Sequence, residues 1–355
     1  MINRNSGSGL FRQGMIMNSS IEKLIIKRDS ITDPITDNII GLLPQADIIT
    51  VDDIPFDRTY NNTNTLFLKR YRGRFIKDFP TPAGSPPAQE KYIITMLNCP
   101  FRCKYCYLQV YLQHRRITLF TNRERLRNEI AAVISEDSPA RMTTGEMGDS
   151  LALDHITSTT SELLPLFTGT GTLYEARTKS SNVNHLLSDI PPEQFENLLI
   201  TWTMAPEDAV RRLEPGSAAL EERMEAIRTV SRAGIRVGIR LDPVIPFFYS
   251  RDAYRKLIND IKEVSGGSIY RFEIGIMRFP PGLWQHVRMN FPASLLMRGE
   301  FIRAPDGKIK YYRPHRLRIY REIYETVKSR FPRSPVELSM EPVGVWKDAG
   351  IPLPD

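Results

Sequence analysis

Cys99, Cys103 and Cys106 are the only three cysteines in the chain, and they fall within one short segment, CPFRCKYCYLQ. Their spacing, Cys-x-x-x-Cys-x-x-Cys, directly follows an apolar run that reads as a strand, so a tight loop can turn all three thiolates toward one centre. An odd, clustered set is not how a disulfide framework is built, and the three read as free thiolates of a reducing compartment. Cubane iron–sulfur clusters normally take one thiolate per iron. With three thiols in the whole chain, a 4Fe-4S cluster here leaves one iron without a protein ligand. S-adenosyl-L-methionine (SAM) can chelate that iron through its amino and carboxylate groups. An electron delivered there splits the sulfonium bond into methionine and a 5′-deoxyadenosyl radical, chemistry that belongs to the cofactor. The competing use of the motif is a zinc knuckle completed by a side chain such as His114. That use leaves Tyr105 and the strand-then-loop placement unexplained. A second cluster is excluded, because it would need further cysteines.

Other residues fall at the ends of neighbouring apolar runs. TTGEMGDS (143 to 150) sets Gly145 and Gly148 around Glu146. Glycine has no side chain to block an ammonium group from backbone carbonyls and a carboxylate, although an ordinary β-to-helix turn has the same composition. Lys179 in YEARTKSSN offers a cation to the SAM carboxylate, and Thr203 in LLITWTMAPE offers a hydroxyl to carboxylate or ribose. Solvated surface roles are the alternative for both. Asp242 in IRLDPV suits adenosine or substrate, or a structural cap. Arg278 in MRFPPG can meet a phosphate or SAM, or form a surface ion pair. The run KRYRGRFIK (69 to 77) can touch a polyanion or form a solvated basic face. Asp154 and His155 read as the start of a helix.

These positions need a scaffold that presents strand ends to one side. Candidate strands are 92–97, 141–146, 172–178, 198–204, 236–242 and 270–277. They alternate with the helical patterns RERLRNEIAAVIS, ALEERMEAIRTVSRAG and RDAYRKLINDIKEV, the second stopping at Gly234. Repeated βα units predict an α/β fold with a partial parallel (β/α)6 TIM-like barrel, whose active site lies at the carboxyl ends of its strands. HRLRIYREIYETVKSRF and VELSM add a C-terminal helix and strand. PTPAGSPPAQE (80 to 90) reads as a linker. The expected division is an N-terminal extension over 1–90, its first ~20 residues flexible, the barrel over 91–280, and a C-terminal segment over 281–355.

The 355 residues, 41% hydrophobic and 25% charged, have the balance of a soluble globular protein. No run approaches membrane-span length, and neither membrane association nor a signal peptide is expected, so the expected location is cytoplasmic. A net charge of +7, from 48 basic and 41 acidic residues, is a modest excess that permits an anionic partner.

At several points the chain resembles the spore photoproduct lyase family of radical SAM enzymes. The resemblance starts at GRFIKDFP (73 to 80) and continues through CPFRCKYCYLQ, YEARTKSSNV, LEPGSAALEERMEAI, GIRLDPVI, IMRFPPGLW, DGKIKYY and SMEPVGVWKDAG. It implies a partial (β/α)6 barrel, one 4Fe-4S cluster held by Cys99, Cys103 and Cys106, SAM as co-substrate, and repair of a methylene-bridged thymine dimer in DNA. It implies SAM contacts at Lys179 and Thr203, and a hydrogen-atom relay through Tyr105 and Tyr107. It also implies a substrate-facing hairpin at GKIKYYRP (307 to 314), where Lys310 and Tyr311 would contact phosphate and stack on a base. An electron donor such as flavodoxin or ferredoxin is implied as well. One departure stands out. The family carries a further cysteine after the second strand to return a hydrogen atom to the thymine radical, where this chain reads TTGEMGDS. Quenching would then fall to Tyr105, Tyr107 or an external reductant, or the substrate is a peptide or small molecule. A third reading is a cluster-bearing DNA-binding or redox-sensing protein without catalysis.

Overall fold

The computed structural model describes residues 21–53, 64–80, 84, 90–112 and 114–354. The N-terminal stretch contributes β1 (Lys23–Lys27), β2 (Asp47–Val51) and β3 (Thr65–Lys69). Next come β4 (Ile76–Asp78), β5 (Glu90–Ile93), β6 (Met96–Leu97), β7 (Ile117–Phe120) and β8 (Arg141–Thr144). The chain continues with β9 (Leu173–Thr178), β10 (Leu198–Thr203), β11 (Arg236–Val244) and β12 (Arg271–Ile276). It ends with β13 (Arg278–Phe279), β14 (Phe301–Arg303), β15 (Ile309–Tyr311) and β16 (Val336–Leu338).

The large sheet runs β16-β12-β11-β10-β9-β8-β5-β4 and curls into the expected partial barrel. The six expected strands appear in order, with β16 added at one edge and an antiparallel β4 at the other. Parallel crossovers need covering elements: the amphipathic segments supply helices Arg123–Asp137, Leu220–Arg232, Arg251–Val264 and Arg313–Arg330, and the β8–β9 and β9–β10 crossovers carry the shorter Thr159–Leu163 and Asn184–Asp189. Gly234, at φ +83°, ends the second of these as its sequence position predicts.

Strand side chains alternate between faces, and here the alternation separates oil from charge. On β9, Tyr174 and Ala176 join the apolar layer, while Glu175 and Arg177 take the other parity. On β12, Phe272, Ile274 and Ile276 pack outward, and Arg271, Glu273 and Gly275 alternate with them. The second set fills the barrel with ion pairs: Arg177–Glu175 at 3.0 Å, Arg177–Glu90 at 2.8 Å, Arg271–Glu337 at 2.6 Å and Arg240–Glu273 at 3.0 Å.

The expected strand 92–97 is two strands in two sheets. β5 pairs with β8 in the barrel, whereas β6 pairs antiparallel with β7 in a second sheet, β2-β1-β3-β7-β6. The crossing is made at Ile94, whose amide bonds Phe75, and Thr95, whose carbonyl accepts from Phe120. Helix Pro34–Leu42 covers one face of this second sheet with Ile35 and Ile39 against Leu24, Ile26, Leu66 and Leu68. A small antiparallel sheet, β13-β15-β14, follows the barrel's last expected strand. No helix among the described residues is long and apolar enough to cross a membrane.

Candidate functional site

The cysteine loop hangs from the end of β6 and is clamped at both sides. Asn98 sits in the left-handed region at φ +64°. Its amide donates to the Met147 carbonyl at 2.7 Å, and its side-chain amide donates to the carbonyls of His114 and Arg116 at 3.0 and 2.9 Å. Further on, the amides of Arg102 and Lys104 each donate at 2.8 Å to the carbonyls of Pro215 and Leu213. Tyr105 donates its hydroxyl proton to the Glu214 carboxylate, which is also held by the fully buried Arg223. Arg223 in turn donates to the carbonyls of Ala218 and Thr203 at 3.0 and 2.8 Å. The loop is thus fixed to the end of β10 through side chains far apart in sequence.

Cys103 is buried, Cys99 and Cys106 are partly so, and the three thiols share one electrostatic environment. Burial pushes all three upward, and the charges of Cys106 and Cys103 add to the effect on Cys99. The Lys179 ammonium acts in the opposite direction on Cys103 and Cys106. Lys179 lies just past β9, with its nitrogen 5.7 Å from the centre of the Tyr105 ring. Among the described residues it has no ion-pair partner within 4.0 Å. Its amide is fixed by Asp149, which also accepts from the Thr178 hydroxyl and the amides of Leu151 and Ala152.

Gly145 and Glu146 flank the same space. A Cβ on Gly145, at φ +96°, would meet the Arg177 carbonyl and the Ser150 hydroxyl at 2.7 Å, so the turn accepts only glycine. Tyr107 donates to the Glu146 carboxylate at 2.8 Å, and burial, then Glu146, raises that phenol well above its usual range. Thr203 is the last residue of β10 and is buried.

Asp242 and Arg278 form a second group. Arg278 and Arg240 both bond the Asp242 carboxylate, at 3.3 and 2.9 Å, and Arg278 also reaches the Ser339 hydroxyl at 3.2 Å. Burial opposes ionisation of Asp242, yet the two guanidiniums outweigh it and lower its pKa. Both residues are therefore engaged with each other. Arg240 also feels the charge of Glu146, which links this group to the first.

Lys310 and Tyr311 lie on β15, where Lys310 faces Arg278 across the pair with β13. They are not at the hairpin tip, which is the turn around Gly307. Tyr311 is 1% exposed, packs on Phe301 and donates to the Leu296 carbonyl at 3.2 Å. In this arrangement it is a core residue with no face open to a base, while its neighbour Tyr312 is exposed.

Asp149, Glu214, Arg223, Arg240 and Asn98 carry this architecture without having been singled out in the sequence. Asp149 and Glu214 lie inside quoted segments, TTGEMGDS and LEPGS, where an acid beside a glycine or proline turn is the available signal.

The family model for spore photoproduct lyase matches residues 76–339. The chain belongs to the spore photoproduct lyase family. The spore photoproduct lyase of Bacillus subtilis (strain 168) is 25% identical over 270 residues, covering 72% of this chain and 77% of that protein. A spore photoproduct lyase structure complexed with dinucleoside spore photoproduct superimposes with a TM-score of 0.76 at 19% identity, over 90% of this chain and 98% of the other. A mutant spore photoproduct lyase with bound AdoMet and the same dinucleoside matches with a TM-score of 0.72 at 17% identity, over 89% and 97%. Membership makes this member of the spore photoproduct lyase family an enzyme of the radical SAM lyase kind. Within that frame the thiols, Lys179 and Glu146 surround one space at the strand ends. Among the described residues no three His, Cys, Asp or Glu side chains converge tightly enough to enclose a single metal ion.

Proposed function

We propose that this chain cleaves SAM reductively at a single 4Fe-4S cluster held by Cys99, Cys103 and Cys106, and acts on a thymine photoproduct in DNA or a closely related nucleotide lesion. The observation that carries the reading is the Lys179 ammonium, without an ion pair within 4.0 Å among the described residues, beside three clustered thiols, one buried and two partly so, that have no fourth cysteine for company. When bound, the cluster and SAM would supply the 5′-deoxyadenosyl radical that abstracts a hydrogen atom from substrate.

The chain's own contribution is placement and exclusion of water. Lys179 would pair with the SAM carboxylate in a charge-assisted contact; despite burial, Glu214 and Asp149 raise its pKa from beyond ion-pair distance. Glu146, on a turn that Gly145 keeps open, is suited to the SAM ammonium, and Thr203 to its carboxylate or ribose. Tyr105 and Tyr107 stand within the cysteine loop, their phenols held by Glu214 and Glu146. The Tyr105 proton is committed to the Glu214 carboxylate and the Tyr107 proton to Glu146, through its carbonyl or carboxylate, and burial with those carboxylates keeps both phenols protonated. Arg278 and Lys310, paired across β13 and β15, would meet a substrate phosphate at the barrel mouth. Dinucleoside spore photoproduct in the relatives supports a nucleotide-like substrate here. Flavodoxin or ferredoxin would supply the electron.

The test is anaerobic reconstitution with SAM and dithionite, followed by product analysis on ultraviolet-irradiated thymine oligonucleotides. Thymine recovery supports the reading. SAM cleavage without repair would retain the radical chemistry and move the substrate to a peptide or small molecule, the alternative that the missing cysteine favours. Deuterium carried from a labelled substrate into 5′-deoxyadenosine would identify it.

A further inference from the structure

We propose that the crevice at the carboxyl ends of β1 and β3, outside the barrel, binds a phosphate-bearing anion. The strand order of the second sheet sets the place. From β1 the chain moves outward to β2, then returns across β1 to β3 and on to β7, all parallel. The order therefore reverses between β1 and β3. In open parallel α/β sheets, ligands sit outside the carboxyl ends of the strands at such a reversal. Lys27 ends β1 and Lys69 ends β3.

A cavity of about 390 Å³ lies there. Its lining includes Lys27, Lys69, Arg70, Arg72, His114 and Arg116, with Asp53 as the one acidic residue among the described residues. Internal neutralisation is incomplete. Arg70 is taken by Asp33 at 3.0 Å, and Lys27 lies 3.6 Å from Asp29 and 3.9 Å from Asp53. Lys69 and Arg72 have no ion-pair partner among the described residues. Lys69 is half-buried, and burial, then Arg116 and Lys27, lower its pKa. His114 is lowered likewise, by burial and then by Arg116 and Lys69, and its Nδ1 is buried without a hydrogen-bond partner among the described residues. Cations from β1, β3, the segment after β3 and the segment before β7 thus crowd one concavity and repel each other. An anion with several oxygens relieves that repulsion and offers an acceptor to each donor, which a phosphate does better than a single carboxylate. The volume exceeds what one carboxylate would fill. The proposal stands apart from the cluster chemistry, and the basic run 69–77 finds its use in it.

A free polyphosphate and a strand of nucleic acid present the same chemistry, and two probes separate them. The full chain is titrated with inorganic tripolyphosphate and with a fluorescent thymidine oligonucleotide, at low and moderate salt. The Lys69→Gln/Arg72→Glu variant is treated in the same way. We expect salt-sensitive binding of at least one probe, weakened about tenfold in the variant. Weakening of tripolyphosphate alone identifies a free polyphosphate ligand, and weakening of the oligonucleotide alone identifies strand phosphates; both together also support the site. If wild type binds neither probe, or the variant holds both within about twofold, the proposal is overturned. Should the double variant not fold, Arg72→Glu, at an exposed position, is expected to lose about threefold, and Arg72→Lys to keep affinity.

Discussion

Arg223 is the side chain on which the cysteine loop depends most at a distance. It is fully buried, and its guanidinium holds Glu214, which holds Tyr105, while also gripping two carbonyls at the end of β10. Removing one partner of such a buried pair strands the other charge, so Arg223→Met is expected to cost about 3–5 kcal/mol of stability in denaturant unfolding. Lys179→Met is expected to act differently. The fold and iron content stay, while SAM affinity measured by equilibrium binding falls about tenfold to a hundredfold, the worth of one charge-assisted contact. Equal SAM affinity in that variant would contradict the assignment. The Tyr105–Glu214 link was not legible in the sequence, because the two stand 109 residues apart and only the folded barrel brings them together. The cysteines were legible because their ligand geometry is local.

At the scale of elements, the barrel strands carry their charges inward in register. Glu175 on β9 faces Arg177 and Arg271, and Glu273 on β12 faces Arg240 and Arg271. Burial alone would raise the Glu175 carboxyl, but Arg177, Arg271 and Arg141 outweigh it and lower it from 4.5. A group depressed in the folded state contributes stability that is full above its unfolded value and is lost as the pH falls below it. Stability measured by urea midpoint is therefore expected to drop as the pH goes below about 4.5. Glu175→Gln should blunt that slope and cost about 3–5 kcal/mol near neutrality. A second element-level consequence concerns β12. A Cβ at Gly275 would come within 2.4 Å of the Asp242 carboxyl carbon, so Gly275→Ala is expected to cost about 1–3 kcal/mol in thermal unfolding and to break the Asp242–Arg278 pair. Most strand limits were legible: 198–204 emerged as Leu198–Thr203, and 236–242 extended only to Val244. The break in 92–97 was not, since YIITML is one continuous β-favouring run and only pairing partners decide where it changes sheets. The inward face of β15 was also hidden, because a three-residue strand is too short for alternation to assign a side.

Across the whole molecule, the second sheet is completed by β6 and β7, which flank the cysteine loop, so the loop is suspended between two sheets. Its two ends are held by Asn98 toward one and by the Glu214–Arg223 link toward the other. The resulting space has three thiols, the Lys179 ammonium and the carboxylates of Glu146, Asp149 and Glu214 around it. Composition and charge located neither this space nor the substrate; they bounded the chain's size and left an anionic partner open. In the function proposed above, the polypeptide ligates three irons and leaves the fourth to SAM. Electron paramagnetic resonance of the anaerobically reconstituted, dithionite-reduced protein, recorded with and without SAM, tests it most directly. A reduced 4Fe-4S signal that changes in shape and g-values on SAM addition is expected; absence of a cluster signal, or one that SAM leaves unaltered, would contradict that ligation.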